Sequence, residues 1–170
     1  MGGTMIGAQA ILNNSCTPTP KSEAFLSPDQ LTLLNEIGET ILPATDTPGA
    51  KEADVASFMA IVVADCYSEE DQKVFLNGLK ELERKCKSRC SKEFTELEPE
   101  KRLEFLTELD KEHLAYMKEK KKDQPVHYFR MLKELTLAGY FTSEPGATKF
   151  LKYTPAPGRY DGCTDVKPWA

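Results

Sequence analysis

Residue types that could do chemistry are few in this chain, and their spacing decides little on its own. The two histidines, His113 and His127, fall on separate helical patterns. Neither has a Cys, Asp or Glu partner at metal-ligand spacing, so they predict no metal site. Of the five cysteines, Cys16, Cys66, Cys86, Cys90 and Cys163, one pair stands out. Cys86-Lys-Ser-Arg-Cys90 places two thiols one helical turn apart, a spacing compatible with a redox pair, half a metal site or a structural clamp. Zinc would need a second pair, which Cys66 and Cys163 do not form. The Cα separation across one turn is about 6 Å, inside the disulfide range and toward its long end. A structural disulfide is the first reading, helped if the helix frays near Ser88, and unpaired thiols are the second. Acidic pairs such as Glu69-Glu70 and Glu98/Glu100 open helices, where the dipole explains them without acid–base work. Ser, His and Asp occur with no nucleophile elbow and no oxyanion-type glycine turn. The sequence therefore predicts no catalytic residue.

The stretch Ile41-Leu-Pro-Ala-Thr-Asp-Thr-Pro-Gly-Ala50 is polar enough to invite a functional reading. Local chemistry accounts for it more simply. Pro43 stops a helix, Asp46 or the threonines can cap backbone donors, and Pro48-Gly49 suits a turn in which glycine supplies positive φ. The expectation is a rigid interhelical corner.

The elements around these residues are helical throughout. Ser27-Pro28-Asp29-Gln30 is a capping box with proline at the first helical position. Leu31, Leu34, Ile37, Ile41 and Leu42 then recur at spacings of three and four. A second helix is expected from about Ala53 to Cys66, with Val55, Phe58, Met59, Val62 and Val63 apolar and so little charge that burial on more than one side follows. Ser68-Glu-Glu-Asp71 opens a third, with Val74, Phe75, Leu79 and Leu82 inward, ending between Lys87 and Cys90. Pro99 opens a fourth carrying Leu103, Leu106, Leu109, Leu114 and Met117, broken at Asp123-Gln-Pro125. A fifth is expected over about Val126 to Ala138, with Phe129, Leu132, Leu135 and Leu137, and Gly139 as its stop. Strand alternation, GxGxxG and the P-loop pattern are all missing. The predicted fold is an all-α bundle of about five helices with short connections and an irregular, aromatic-rich C-terminal tail.

Length and charge bound the rest. A chain of 170 residues suits one domain. A net charge of −5 disfavours nucleic acid, and the basic run Lys118-Glu-Lys-Lys-Lys122 reads as a solvated helix end. Residues 1–26 are expected to be an export-signal remnant plus linker, disordered, ahead of a single helical domain over 27–170. Met1 to Asn14 is uncharged, small and apolar, like the later part of a signal whose basic beginning is missing. Cys16 sits where a bacterial lipoprotein carries its acylated cysteine, although Asn13 occupies a lipobox position that wants an apolar residue. Setting Cys16 aside leaves four cysteines, which allow two disulfides in three pairings.

With these stretches laid out, the sequence closely resembles the gluconate 2-dehydrogenase subunit 3 family. The resemblance rests on Ile41–Ala50, Val55 and Phe58, Phe75 with Gly78-Leu79, Phe94, and Leu135-Thr-Leu-Ala-Gly-Tyr-Phe-Thr-Ser-Glu-Pro-Gly146. It continues through Tyr153, Pro157-Gly158, Tyr160 and Gly162-Cys163. It implies a non-catalytic small subunit with no flavin or haem of its own. Its partner would be a large flavoprotein that binds FAD and oxidises sugars or sugar acids, often joined by a cytochrome c subunit. It further implies periplasmic location and twin-arginine export, although no Arg-Arg pair is present. A membrane would be reached only through a lipid anchor or through the complex. A stand-alone periplasmic lipoprotein or binding module on the same scaffold is the alternative, and a thiol-redox protein built on Cys86 and Cys90 is a third. Tyr140, Phe141, Tyr153, Tyr160 and Trp169 are too many aromatics for an unpacked tail. They are expected to anchor the partner, or else to seal the chain's own core.

Overall fold

A computed structural model describes residues 25–153 and residue 158. Over the described residues the fold is all-α, as the periodicity predicts. Helix α1 spans Pro28–Ile41, α2 Val55–Cys66, α3 Glu69–Cys90, α4 Pro99–Glu119 and α5 Tyr128–Thr142. A 3₁₀ turn, Phe94–Glu96, joins α3 to α4, and a π-helical turn, Gly146–Phe150, follows α5. Of the expected export remnant and linker, residues 1–24 lie outside the described residues, as do Cys16 and Cys163; Phe25 and Leu26 are described, and Leu26, expected in a disordered linker, is buried in the core.

Local signals set most helix starts. Ser27 Oγ accepts from Gln30 N–H at 3.2 Å while Gln30 Oε1 accepts from Ser27 N–H at 2.9 Å, a reciprocal capping box. Ser68 caps α3, whose first turn holds Glu69, Glu70 and Asp71 and whose last holds Lys87 and Arg89, the polarity the helix dipole favours. Ser91, at φ 56°, ends it in a left-handed cap.

Helix α5 is the axis of the bundle: it packs against α1, α2, α3, α4 and the π turn. Two glycines let it approach. A Cβ on Gly78 of α3 would overlap Tyr128 at the start of α5, and one on Gly139 would stand 2.7 Å from the Phe58 ring of α2. Gly139 was expected to stop α5; instead the helix runs on to Thr142, and the glycine serves as a notch for Phe58.

Other expectations also shift. Leu103 and Leu114 of α4 are exposed, at 57% and 50%, because the buried stripe there is Phe105, Leu106, Leu109 and His113. Helix α2 buries Val55, Ala56, Met59, Ala60 and Val63, yet leaves Ile61 half exposed on a helix uncharged until Asp65. Leu137, expected inside, lies at the surface.

His127 begins α5. Its Nδ1 accepts from Phe129 N–H at 3.2 Å, which requires that nitrogen to be unprotonated. The ring stacks on Tyr128 at 4.5 Å and faces Tyr116 and His113 of α4. Burial pushes its pKa below the ordinary 6.5, with Lys85 and His113 reinforcing and Glu112 opposing. Because the folded state holds this proton less tightly than the unfolded one, stability is complete above the unfolded pKa and falls as pH drops through the folded value.

Two outcomes test this account. Gly78→Ala should destabilise by about 1–3 kcal/mol in urea unfolding, since overpacking against Tyr128 exceeds the roughly 1 kcal/mol of helix propensity gained. Unfolding free energy should decline below about pH 6.5 in the native chain. His127→Asn, whose cap does not titrate, should flatten that decline down to the pH where the carboxylates begin to protonate.

Candidate partner-binding face and the corner that positions it

The segment Leu42 to Asp54 is organised by one side chain of α1. The two carboxylate oxygens of Glu39 accept from Ala44 N–H and from Lys51 N–H, both at 2.9 Å. A charged acceptor holding two otherwise unpaired backbone donors is the stronger kind of cap. Sequence reasoning gave this job to Asp46 or the threonines; Asp46 makes no hydrogen bond among the described residues, and Thr45 N–H simply donates to Thr47 O at 3.0 Å. Gly49 was expected to supply positive φ, but its backbone is not left-handed. What it supplies is space: a Cβ there would lie 2.5 Å from both Glu39 oxygens and 2.6 Å from Ala44 N.

Two further contacts lock the corner. Ala50, buried, sits against Gly38, where a Cβ would stand 3.3 Å from the alanine methyl. The Tyr140 hydroxyl, from α5, donates to Pro48 O at 2.7 Å. Pro43 stays exposed and lines a groove of about 440 Å³ with Thr40, Lys51, Pro99, Arg102 and Leu103. Behind it, Glu36 binds Lys51 at 2.7 Å and also Arg102, whose guanidinium donates to Thr95 O at 2.6 Å. Burial pushes the Glu36 pKa upward, but the Lys51 hydrogen bond and the charges of Arg102 and Lys51 outweigh it and hold the group below the usual range.

The aromatics divide into two groups. Tyr140 is 2% exposed and seals the chain's own core. Phe141 is half-buried, and its ring lies 5.3 Å from Tyr140 and 5.4 Å from Phe150 in edge-on contacts. Ser143 Oγ donates to Tyr140 O at 2.6 Å and accepts from Gly146 N–H at 3.1 Å, turning the chain so that Phe150 returns over α5. Phe150, Leu151 and Tyr153 then project outward, Tyr153 at 63% exposure. Tyr160 and Trp169 lie outside the described residues.

Most of the exposed large apolar side chains lie outside α4. Of the seven among the described residues, only Leu103 and Leu114 belong to α4; Ile61, Leu137, Phe150, Leu151 and Tyr153 belong to α2, α5 and the turn beyond. Leu137 lies one helical turn before Phe141, and α2 packs beside α5 at Gly139. Phe150 and Leu151, exposed beside Lys149 and Lys152, continue past the Phe141 margin of α5 and make this end of the bundle a candidate interaction surface. Sequence reasoning named Tyr153 and missed Ile61, Leu137, Phe150 and Leu151. The available signals were the absence of charge on α2 and the spacing of four between Leu137 and Phe141.

The other candidates separate cleanly. Cys86 and Cys90 are free thiols, so the expected disulfide is not formed in this structure. The helix stays regular to Cys90 instead of fraying at Ser88, which keeps the two residues at helical spacing. Burial, with Cys90 and Glu83 adding to it, pushes the Cys86 pKa up to about 11, the opposite of an activated thiolate. His113 and His127 come within 6.0 Å, although the sequence separates them onto different helices. His113 Nδ1 contacts the Asp110 carboxylate at 3.0 Å, and that carboxylate also accepts from Lys133 at 2.7 Å. No group of three or more His, Cys, Asp or Glu side chains is placed to hold a metal among the described residues.

Fold and site define a class: an all-α protein with a buried tyrosine clamp, a carboxylate-tied corner, and exposed apolar side chains at the end of α5 and in the turn beyond it. The chain belongs to the gluconate 2-dehydrogenase subunit 3 family, whose model matches residues 28–158. It is thus, by family, a subunit of a multi-subunit dehydrogenase. No curated protein and no solved structure matches it.

The corner can be tested in isolation. Tyr140→Phe should cost about 1 kcal/mol, leaving the Pro48 carbonyl without its partner. Gly49→Ala should cost more than Tyr140→Phe, because its Cβ displaces the Glu39 carboxylate from both amides. Urea unfolding of the two variants ranks them.

Proposed function

We propose that the chain is the non-catalytic accessory subunit of an FAD-dependent dehydrogenase acting on a sugar or sugar acid, and that it stabilises the flavoprotein subunit and accompanies it through export to the periplasm. The observation that carries this reading is the family match over residues 28–158. The exposed set Leu137, Phe150, Leu151 and Tyr153 supports it, since apolar and aromatic side chains left at the surface suit a protein contact. In this reading the flavin resides in the large subunit, a cytochrome c subunit can complete the complex, and Cys16 is available for lipidation. The substrate is chosen by the catalytic subunit and leaves no mark on this chain.

Co-expression with a flavoprotein dehydrogenase subunit encoded beside it provides the test. The two chains should co-purify with flavin absorbance. Leu137→Asp and Tyr153→Asp, both at exposed positions, should leave unfolding within about 0.5 kcal/mol of the parent. The same variants should weaken co-purification by roughly 30-fold or more, as truncated interface anchors do. A chain that stays solitary and flavin-free beside its neighbour would reject the accessory role. Undiminished binding by both variants would reject this face as the contact.

A further inference from the structure

Helix α4 carries a strip that the described residues leave uncovered. Leu103 and Leu114 are 57% and 50% exposed, and Glu100, Glu104, Thr107, Lys111 and Lys118 are exposed with them. With about 3.6 residues per turn, these positions face away from Phe105, Leu106, Leu109 and His113, the buried side of the helix. A surface depression of about 430 Å³ lies along the first half of the strip, lined by Glu100, Leu103, Glu104, Thr107, Glu108 and Lys111.

The charges of α4 divide by position. Those at the flanks are paired within the chain: Arg102 with Glu36, Glu108 with Arg89, Asp110 with Lys133 and Glu112 with Lys85. Glu100, Glu104, Lys111 and Lys118 make no ion pair among the described residues. Within the strip the acids come first along the helix and the bases last. Glu100 and Lys118 stand about 27 Å apart along the axis, Leu103 and Leu114 about 16 Å, and Glu104 and Lys111 about 10 Å. The midpoints of all three pairs fall within Thr107–Leu109. A shared midpoint is what a two-fold axis requires. A second α4 laid antiparallel sets Glu100 against Lys118, Leu103 against Leu114 and Glu104 against Lys111, and each contact occurs twice. A parallel second helix would set acid against acid.

We propose that this strip of α4 is an interface between two copies of the chain, packed antiparallel about a two-fold axis near Glu108. Leu114 of each copy enters the depression beside Leu103 of the other. The four unpaired charges then find opposite charges at both ends, which fixes direction and register as well as attraction. None of these residues belongs to the end of α5 or the turn beyond it. The dimer therefore uses a different surface from the contact proposed with a flavoprotein, and the two readings stand or fall separately. A single helix pair buries less than the roughly 1,200 Å² of a standard stable interface, so association is in the micromolar range.

Sedimentation velocity of the full chain, kept reduced so that disulfides between chains do not contribute, provides the test. A monomer–dimer equilibrium is expected across micromolar concentrations, weakening as salt is added. Glu104→Lys and Lys111→Glu, each at an exposed position and each acting at two contacts, should raise the dimer dissociation constant about tenfold or more. Far-ultraviolet circular dichroism should show both variants folded. Mixing the two variants in equal amounts should restore association, because each then meets its opposite charge at both contacts. A merely structural effect of either change would not be repaired by mixing. A chain that is monomeric at every concentration would overturn the proposal, as would a dimer indifferent to both variants or a mixture no tighter than its components. Dissociation of the dimer by the flavoprotein subunit, together with weaker co-purification of Glu104→Lys, would assign the strip to that subunit instead.

Discussion

The hydroxyl of Tyr140 reaches the carbonyl of Pro48 across 92 residues of sequence, and that bond ties the end of α5 to the corner after α1. Tyr140 is buried at the end of α5, so an unpaired hydroxyl there would carry a desolvation cost of a few kcal/mol. A helix displaced along its axis by one residue could not keep the contact. Pro48 in turn is held in place because Glu39 ties Ala44 and Lys51 to α1 on either side of it. The chain thus fixes α5 against α1 through a corner that has no regular secondary structure. The two stretches that carry the family resemblance, Ile41–Ala50 and Leu135–Gly146, are the two halves of this one contact.

Close approach is the second requirement, and glycines meet it at both ends of α5. Tyr128 occupies the space a side chain at position 78 would take, and Phe58 occupies the space at position 139. A central helix seated in two notches has its rotation fixed as well as its height. That matters for the surface, because the rotation that buries Leu132, Leu135 and Tyr140 also turns Leu137 outward. The exposure of Leu137 is a consequence of how the core is seated.

Much of this was legible in the residues, and the failures have physical causes. Capping boxes, prolines at first helical positions and the three–four spacing located every α-helix, since each signal acts within one or two turns. The number of helices and the all-α class needed nothing more. Gly139 and Gly49 were misread because a glycine that provides space is indistinguishable in sequence from one that provides positive φ; only the opposing atoms, Phe58 and the Glu39 carboxylate, tell them apart. Leu103 and Leu114 were misplaced because His113 occupies a place in the buried stripe of α4 that an apolar residue would ordinarily take. Its polarity is met by Asp110, three residues back, and by Lys133 beyond it, a partnership that exists only once α4 and α5 are packed.

The same packing separates the aromatics at the end of the bundle into inward and outward ones. Aromatic rings in a short segment are costly to expose, and the expectation set interface against core as rival uses. For Tyr140 the structure gives the core, and it leaves Tyr153 at the surface. Tyr140, within α5, faces inward and satisfies its hydroxyl on the corner, while Phe141, the next residue, must point roughly a quarter turn away and so lies at the margin. The Ser143 and Gly146 hydrogen bonds then fold the chain back, so that Phe150 covers Phe141 from outside while remaining 42% exposed itself. Inward and outward aromatics are consecutive layers of one stack. A partner seated on Phe150 would therefore press, through Phe141, on the tyrosine that closes the fold, so that binding and the stability of the bundle share the same contacts.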